Sequence, residues 1–255
     1  MNESSQWNLQ GKTALITGAS KGLGKAMALA LSRAGAAIVL VSRDAPKLEA
    51  VQQEIEKSGG RAKVFTADVG DEASVNRLQA EVSEQFDRVQ ILINNAGINI
   101  RKNLPEFSLA EWRSVLDTNL TSVFLMCRAF VLGMRNTGYG RIINMTSIMS
   151  HVSLPGRSAY SASKAGLLGL TRALALELAS DGITVNGISP GPFATEMNIA
   201  LMQNPEMNAQ FLASLPVGRW GKIEEIGALA CYLCSEAAGF ITGTDILIDG
   251  GWCAR

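Results

Sequence analysis

The segment TALITGASKGLG, residues 13–24, carries the strongest local signal in the chain. Thr13 to Thr17 is a short apolar, β-branched run stopped by glycine, which reads as a buried strand. A helical period begins at Gly22. Between the two, Gly18, Ser20, Lys21, Gly22, Leu23 and Gly24 form a turn with glycines spaced G-x-x-x-G-x-G. Glycine lets the backbone turn tightly and approach a pyrophosphate closely, while the helix N-terminus offers free N–H groups and the positive end of its dipole. The spacing differs from the commoner G-x-G-x-x-G, but strand, turn and helix in that order point to the same cofactor chemistry.

Outward from this turn the pattern repeats. Strands are predicted at Thr13–Thr17, Ala37–Ser42, Ala62–Ala67, Val89–Asn94, Arg141–Thr146, Thr184–Ser189 and Asp245–Ile248. Helices are predicted at Gly22–Ala34, Ala45–Ser58, Glu72–Gln85, Leu109–Met134, Ala159–Ala179 and Ile223–Ser235. Ser108 with Glu111 makes a capping box at the start of the fourth helix. Strands alternating with crossovers long enough for one helix mean an α/β chain: a doubly wound, seven-stranded parallel sheet of Rossmann type, with helices on both faces. No linker, charge block or repeat divides residues 1–255, so one domain is expected. The Met-rich stretch from Pro192 to Pro216 breaks the rhythm after the sixth strand. Ligands bind beyond the carboxyl ends of such strands, so residues 192–216 are expected to form a substrate lid.

Composition narrows the function. The 255 residues are 47% hydrophobic, and 23 Lys+Arg balance 23 Asp+Glu. A core of this size needs no disulfide or metal staple. Zero net charge provides no field for nucleic acid or an anionic membrane. No unbroken apolar run approaches the ~20 residues of a membrane span, and the polar start, Met1 to Lys12, has no signal-peptide stretch. A soluble, cytoplasmic protein is expected. Cys127, Cys231, Cys234 and Cys253 are too few for a disulfide scaffold. The C-x-x-C at Cys231 and Cys234 reads as two small apolar residues one helical turn apart. With one histidine, His151, Ser-His-Asp hydrolases, His-ligated metals and any metal site are disfavoured, and His151 reads as a pocket wall or loop residue.

The end of the second strand selects the cofactor. An acidic residue there holds the ribose 2′-OH of NAD, whereas arginine accommodates the 2′-phosphate of NADP. The chain offers Ser42-Arg43-Asp44. Asp44 falls past the strand, where it suits a helix start, while Arg43 and Lys21 place two cations around one phosphate. NADP is expected over NAD. Tyr160 and Lys164, four apart on one helix face, supply a phenol whose ionised form a neighbouring cation favours. Such a group suits proton transfer at a carbinol oxygen. Ser147, just after the fifth strand, offers a hydroxyl to the same oxygen.

With the glycine turn, Asn94-Asn95-Ala96-Gly97, Asn119, Ser147, Tyr160, Lys164, the Pro190-Gly191 turn with Thr195, and Asp249-Gly250-Gly251, the chain resembles short-chain dehydrogenases/reductases from Leu9 to its C-terminus. The resemblance implies that Tyr160 gives or takes the proton and Ser147 orients the carbonyl or hydroxyl. It implies that Lys164 binds the nicotinamide ribose and lowers the tyrosine pKa, and that Asn119 holds a water in the proton relay. Asp68 and Val69 would contact adenine. Asn95, Ala96 and Gly97 would line the adenosine ribose, a structural turn being the alternative. Pro190, Gly191, Phe193 and Thr195 would face the nicotinamide end. It also implies a homotetramer or homodimer packed through the helices at Leu109–Met134 and Ala159–Ala179.

The substrate pocket is expected from Asn99, Arg101 and Lys102, from His151, Ser153, Leu154 and Arg157, and from Met197, Ile199, Leu201 and Met202 in the lid. Ala96-Gly97-Ile98 followed by Arg101 is similar to gluconate 5-dehydrogenases, and a basic entrance suits a sugar acid. The whole chain also resembles 3-oxoacyl reductases of acyl carrier protein. For these, Arg135 and Arg141 are available to meet an acidic carrier, although Asp181 is unhelpful. A non-catalytic NADP-binding protein is the reading of another class.

Overall fold

In the computed structural model, residues 7–195 and 198–254 are described. Residues 1–6 and the expected lid residue Met197 lie outside them. Seven strands form one parallel sheet: β1 (Thr13–Thr17), β2 (Ala37–Ser42), β3 (Ala62–Thr66), β4 (Ile91–Asn94), β5 (Gly140–Met145), β6 (Ile183–Pro190) and β7 (Asp245–Ile248). Their order is β3-β2-β1-β4-β5-β6-β7. The sequence places all seven within two residues at either end.

The central strands β4, β5 and β6 are buried almost throughout, because helices cover both faces of a parallel sheet. On one face lie α1 (Gly22–Arg33), α2 (Ala45–Lys57) and α9 (Ile223–Cys234), which bury Met27, Leu31, Leu48, Ile55 and Ile226. A Cβ on Gly227 would stand 2.8 Å from Ala30 Cβ, so the glycine lets α9 close on α1. On the other face α3 (Glu72–Gln85), α5 (Ser122–Met134) and α6 (Ser158–Leu178) bury Val75, Leu78, Met126, Phe130 and Leu167. The Cys231 thiol is pushed up to about 11 by burial, and that of Cys234 further, in the α9 packing, which fits the apolar reading of this pair.

The helix predicted from Leu109 to Met134 runs through continuously, but as three pieces. α4 (Leu109–Leu116) begins at the predicted capping box, with Glu111 N donating to Ser108 Oγ and Ser108 N to Glu111 Oε2. A π-helical turn, Asp117–Thr121, joins it to α5. Residue periodicity gives no sign of the extra residue that widens such a turn. By length and composition alone Leu109–Met134 could cross a membrane, although polar and charged residues interrupt it; 44% of its most apolar window is buried inside the fold.

After β6 the chain leaves the sheet for residues 192–221. Its base is closed by Ala194 N donating to Gly221 O at 3.0 Å and Gly221 N to Pro192 O at 2.9 Å. Two helices absent from the sequence reading, α7 (Ile199–Met202) and α8 (Pro205–Ala213), occupy it. Phe211 of α8 stacks on Trp220, whose Nε1 donates to Asn208 Oδ1 at 2.8 Å.

Candidate active site

The strand order reverses between β1 and β4, and the loops beyond these two strands meet there. Thr17 Oγ1 accepts from Asn95 N at 2.9 Å and Ala96 N at 3.0 Å. Asn95 Nδ2 donates to Thr17 O and Gly18 O at 2.9 and 3.1 Å. Asn95 and Ala96 therefore rivet the β4 loop to the glycine turn, which is the structural reading of this motif. A Cβ on Gly24 would lie 2.4 Å from Gly18 O and from Asn95 Nδ2. Gly18 and Gly22 have φ of +64° and +55°, and a Cβ on Gly22 would meet nothing within 4 Å. The turn thus leaves a bare backbone cradle at the N-terminus of α1, with half-buried Ser20 and Leu23 and exposed Lys21 around it.

At the tip of β2, Ser42 Oγ accepts from Asp44 N. Asp44 caps α2, accepting from Lys47 N at 3.2 Å and pairing with Lys47 Nζ at 2.6 Å. Its carboxyl is held below the usual range first by those Lys47 hydrogen bonds, so the helix-start reading of Asp44 is the one realised. Arg43 is exposed and its Nη1 lies 3.6 Å from Asp68 Oδ2, while Val69 beside Asp68 is buried. The β2 side of the cradle is therefore bordered by Arg43 and Asp68, with Lys21 in the glycine turn. At the other end Pro190 closes β6, Phe193 is buried, and Thr195 N donates to Phe193 O at 2.9 Å. A Cβ on Gly191 would stand 2.6 Å from Asp249 Cα, so the turn into the 192–221 segment requires glycine.

Ser147 follows β5 and caps a short 3-10 turn, Ile148–Ser150, its Oγ accepting from Met149 N at 3.1 Å. Tyr160 sits in the first turn of α6 and Lys164 one turn later. Burial pushes the Tyr160 phenol above its ordinary value, while its hydrogen bond with Ser147 and the charge of Arg157 pull it down. Lys164 Nζ donates to Met145 O at 2.5 Å and is lowered to about 8 by burial. A Cβ on Gly97 would stand 3.2 Å from Asn119 Oδ1 and 3.6 Å from Lys164 Nζ.

Asn119, fully buried in the π turn, accepts from Ile98 N at 2.8 Å and donates to Ile98 O at 2.9 Å and Ser163 Oγ at 3.0 Å. Both its amide protons are committed. The side chain ties the β4 loop to α6, and a relay water at this residue would have to use the backbone carbonyl.

Arg157 is half-buried just before Tyr160. Burial lowers its guanidinium first, and the charge of Arg101 lowers it further. Lys102 is drawn away by Glu111 at 2.5 Å. Among the described residues neither Arg101 nor Arg157 has a carboxylate partner. Arg141 is not available to a carrier as the sequence reading had it: it is 3% exposed, and its guanidinium donates to Gly140 O and Ser235 O. Arg135 is paired with Asp181 at 2.9 Å. Among the described residues no three His, Cys, Asp or Glu side chains converge as a metal site.

The family model for enoyl-(acyl carrier protein) reductase matches residues 18–253. Gluconate 5-dehydrogenase of Gluconobacter oxydans is 37% identical over 251 residues, 98% of each chain. A 3-oxoacyl-acyl-carrier-protein reductase of Synechocystis is 40% identical, over 95% of this chain and 97% of that one. Among solved structures, a gluconate 5-dehydrogenase of Burkholderia cenocepacia in complex with NADP and tartrate superposes with a TM-score of 0.93 at 33% identity, over 99% of each chain. The sheet order, the glycine cradle and the match along nearly the whole length agree, and the chain belongs to the short-chain dehydrogenase/reductase family of oxidoreductases.

Proposed function

We propose that the protein is an NADP-dependent oxidoreductase that interconverts a secondary alcohol and a ketone on a sugar acid. The observation that carries the substrate class is Arg157 beside Tyr160 with Arg101 close to Arg157, two guanidiniums without a carboxylate partner among the described residues. An unpaired, partly desolvated cation such as Arg157 gains most from an anionic ligand, and a guanidinium fork matches a carboxylate. Asn99 Oδ1 and Ser150 Oγ, buried and unpartnered on the neighbouring loops, are further polar groups suited to hydroxyls. Two of the relatives above are gluconate 5-dehydrogenases.

The residues present fit NADP. The open space over Gly22 and the free N–H groups opening α1 suit a pyrophosphate, and Arg43 with Lys21 suits a 2′-phosphate. Gly18, Ser20, Leu23, Gly24, Ser42, Asp68, Val69, Asn95, Ala96, Gly97, Pro190, Gly191, Phe193 and Thr195 complete the binding walls. When bound, the nicotinamide supplies or accepts the hydride at the substrate carbon. Tyr160 gives its proton to the carbonyl oxygen in reduction and takes it back in oxidation, while Ser147 holds that oxygen by a hydrogen bond. Lys164 binds the nicotinamide ribose, and Asn119 fixes the β4 loop against α6 under the site. Residues 192–216 close over the substrate, with Ile199, Leu201 and Met202 available to exclude water.

A reductase of carrier-bound 3-oxoacyl groups needs an exposed basic surface, and Arg135 and Arg141 do not provide it. Phe124 and Leu132 on α5 and Leu176 on α6 are exposed, which supports a homotetramer or homodimer through these helices, in the cytoplasm. NADPH oxidation measured on 5-ketogluconate, neutral keto sugars and a 3-oxoacyl thioester tests the reading. Turnover of the keto acid supports it; turnover of the thioester alone replaces it with fatty-acyl chemistry. NADPH binding without turnover of any of them leaves the non-catalytic reading.

A further inference from the structure

One polar cluster next to the proposed proton-handling pair has no part in the reading above. Asp245, at the start of β7, accepts from Thr146 Oγ1 at 2.5 Å, Ser189 Oγ at 2.6 Å and His151 Nε2 at 2.7 Å. Its side chain is 9% exposed. Ser189 Oγ is also 2.9 Å from Thr146 Oγ1 and 2.9 Å from the carbonyl of Ser147. The ends of β5 and β6, the start of β7 and the turn after Ser147 thus converge on one carboxylate.

The turn from Ser147 to His151 is clamped at both ends by this cluster. The Ser189 hydroxyl sits between the Ser147 carbonyl and Asp245, with one proton to give to either, and the His151 ring is held directly. Between the clamps stands the Ser147 hydroxyl, which draws down the Tyr160 phenol across the site. Rotation of the turn would carry Oγ off the phenol. A largely buried carboxylate is also costly to disturb, because Thr146 and His151 would lose their acceptor. His151 is therefore more than the pocket wall or loop residue read from sequence. We propose that Asp245 and His151 are positioning residues that fix Ser147 against Tyr160, without touching substrate or cofactor themselves. The inference rests on the reading of Ser147 and Tyr160 as the proton-handling pair.

The test follows tyrosinate absorbance against pH in the protein saturated with NADP, with Tyr160→Phe as the background to isolate Tyr160. Arg157 and Lys164, the other charged groups facing Tyr160, are unchanged in every variant. Ser147→Ala sets the scale: losing its hydrogen bond moves the Tyr160 titration to higher pH. His151→Leu is expected to move it the same way by at least half that shift. His151→Gln, whose amide N–H reaches the position of Nε2, is expected to return it. Asp245→Asn keeps the shape, exchanges an acceptor for a donor, and is expected to fall with His151→Leu. In turnover, kcat drops with the titration shift while the KM for ketone and the Kd for NADP stay put. A wild-type titration in both His151→Leu and Asp245→Asn, with Ser147→Ala shifted, overturns the positioning role. A change confined to KM overturns it too, since it makes His151 a substrate contact. A Ser147→Ala titration matching wild type refutes instead the pairing of Ser147 with Tyr160, and the proposed proton chemistry with it.

Discussion

Lys164 Nζ lies 5.8 Å from the centroid of the Tyr160 ring and gives its hydrogen bond to the Met145 carbonyl, away from the phenol. The ammonium is almost fully buried with no carboxylate partner among the described residues, and burial lowers it to about 8 from 10.5. The sign of the linkage follows. Below about 8 both folded and unfolded chains carry this proton, and the folded state bears the full desolvation penalty. Between about 8 and 10.5 the unfolded chain binds more protons, so stability rises with pH. A shift of this size corresponds to about 3 kcal/mol. Lys164→Met is expected to abolish turnover yet unfold at higher denaturant than wild type at pH 7, with the gain shrinking above pH 10. Denaturant titrations at the two pH values check this; a variant destabilised equally at both would mean the ammonium is not under strain.

Tyr160→Phe removes the proton carrier but keeps the ring against Lys164. Turnover is expected to fall at least 1000-fold, on the scale that general acid–base catalysis contributes at roughly 10²–10⁴. NADPH affinity, read by fluorescence titration, stays within a few-fold. Near-normal turnover in the variant would show that another group moves the proton.

Arg101 and Arg157 differ in exposure, and this ranks their effects. Arg157 is half-buried and Arg101 exposed, so solvent and salt screen the latter more. Replacing Arg157 by alanine is expected to raise the KM for 5-ketogluconate by about 10–100-fold, the worth of a charged hydrogen bond, and Arg101→Ala by less. Neither change moves the KM for a neutral keto sugar. Equal losses on charged and neutral ketones would show that the pair shapes the pocket rather than binding a carboxylate.

The two glycines at the start of α1 separate folding from binding. A Cβ on Gly24 would meet the Gly18 carbonyl at 2.4 Å, which is backbone that cannot swing aside. Gly24→Ala is therefore expected to destabilise by more than the roughly 1–3 kcal/mol of ordinary overpacking. Gly22→Ala meets open space and bears only the strain of φ +55°, about 1–2 kcal/mol. Thermal melts with and without NADPH test the contrast: Gly24→Ala melts early in both, whereas Gly22→Ala loses mainly the rise that NADPH brings.

The sheet was legible because its signals are local. Each strand is an apolar burst and each crossover has a helical period, so β1 to β7 and the Ser108 capping box follow from neighbouring residues. The cradle was legible for the same reason, as Gly18, Gly22 and Gly24 lie within one turn. What escaped depends on residues far apart. Asp245 meets His151 across 94 positions and Ser189 across 56, and nothing around Asp245 marks it. Arg141 looked like surface charge because its acceptor, the Ser235 carbonyl, is supplied by the end of α9. The π turn at Asn119 lies where α4 and the turn itself pack on α6, a contact that no periodicity encodes.

Arg43 and Asp68 face each other at 3.6 Å with both side chains more than half exposed. Such a pair holds little energy on its own, about 0–1 kcal/mol, so a 2′-phosphate can take Arg43 from Asp68 at small expense. The carboxylate nevertheless repels that phosphate and tolerates the 2′-OH of NAD. Two substitutions then push in opposite directions. Arg43→Asp removes the phosphate's fork and adds a second repulsion, and is expected to weaken NADP binding by about 10–100-fold while leaving NAD binding unchanged or tighter. Asp68→Asn frees Arg43 and is expected to tighten NADP binding a few-fold, an effect that fades as salt rises. Calorimetric titration of both cofactors into wild type and the two variants, at low and high salt, decides the matter. An NADP to NAD affinity ratio that Arg43→Asp leaves unaltered would place the 2′-phosphate elsewhere, with Lys21 as the cation to examine next.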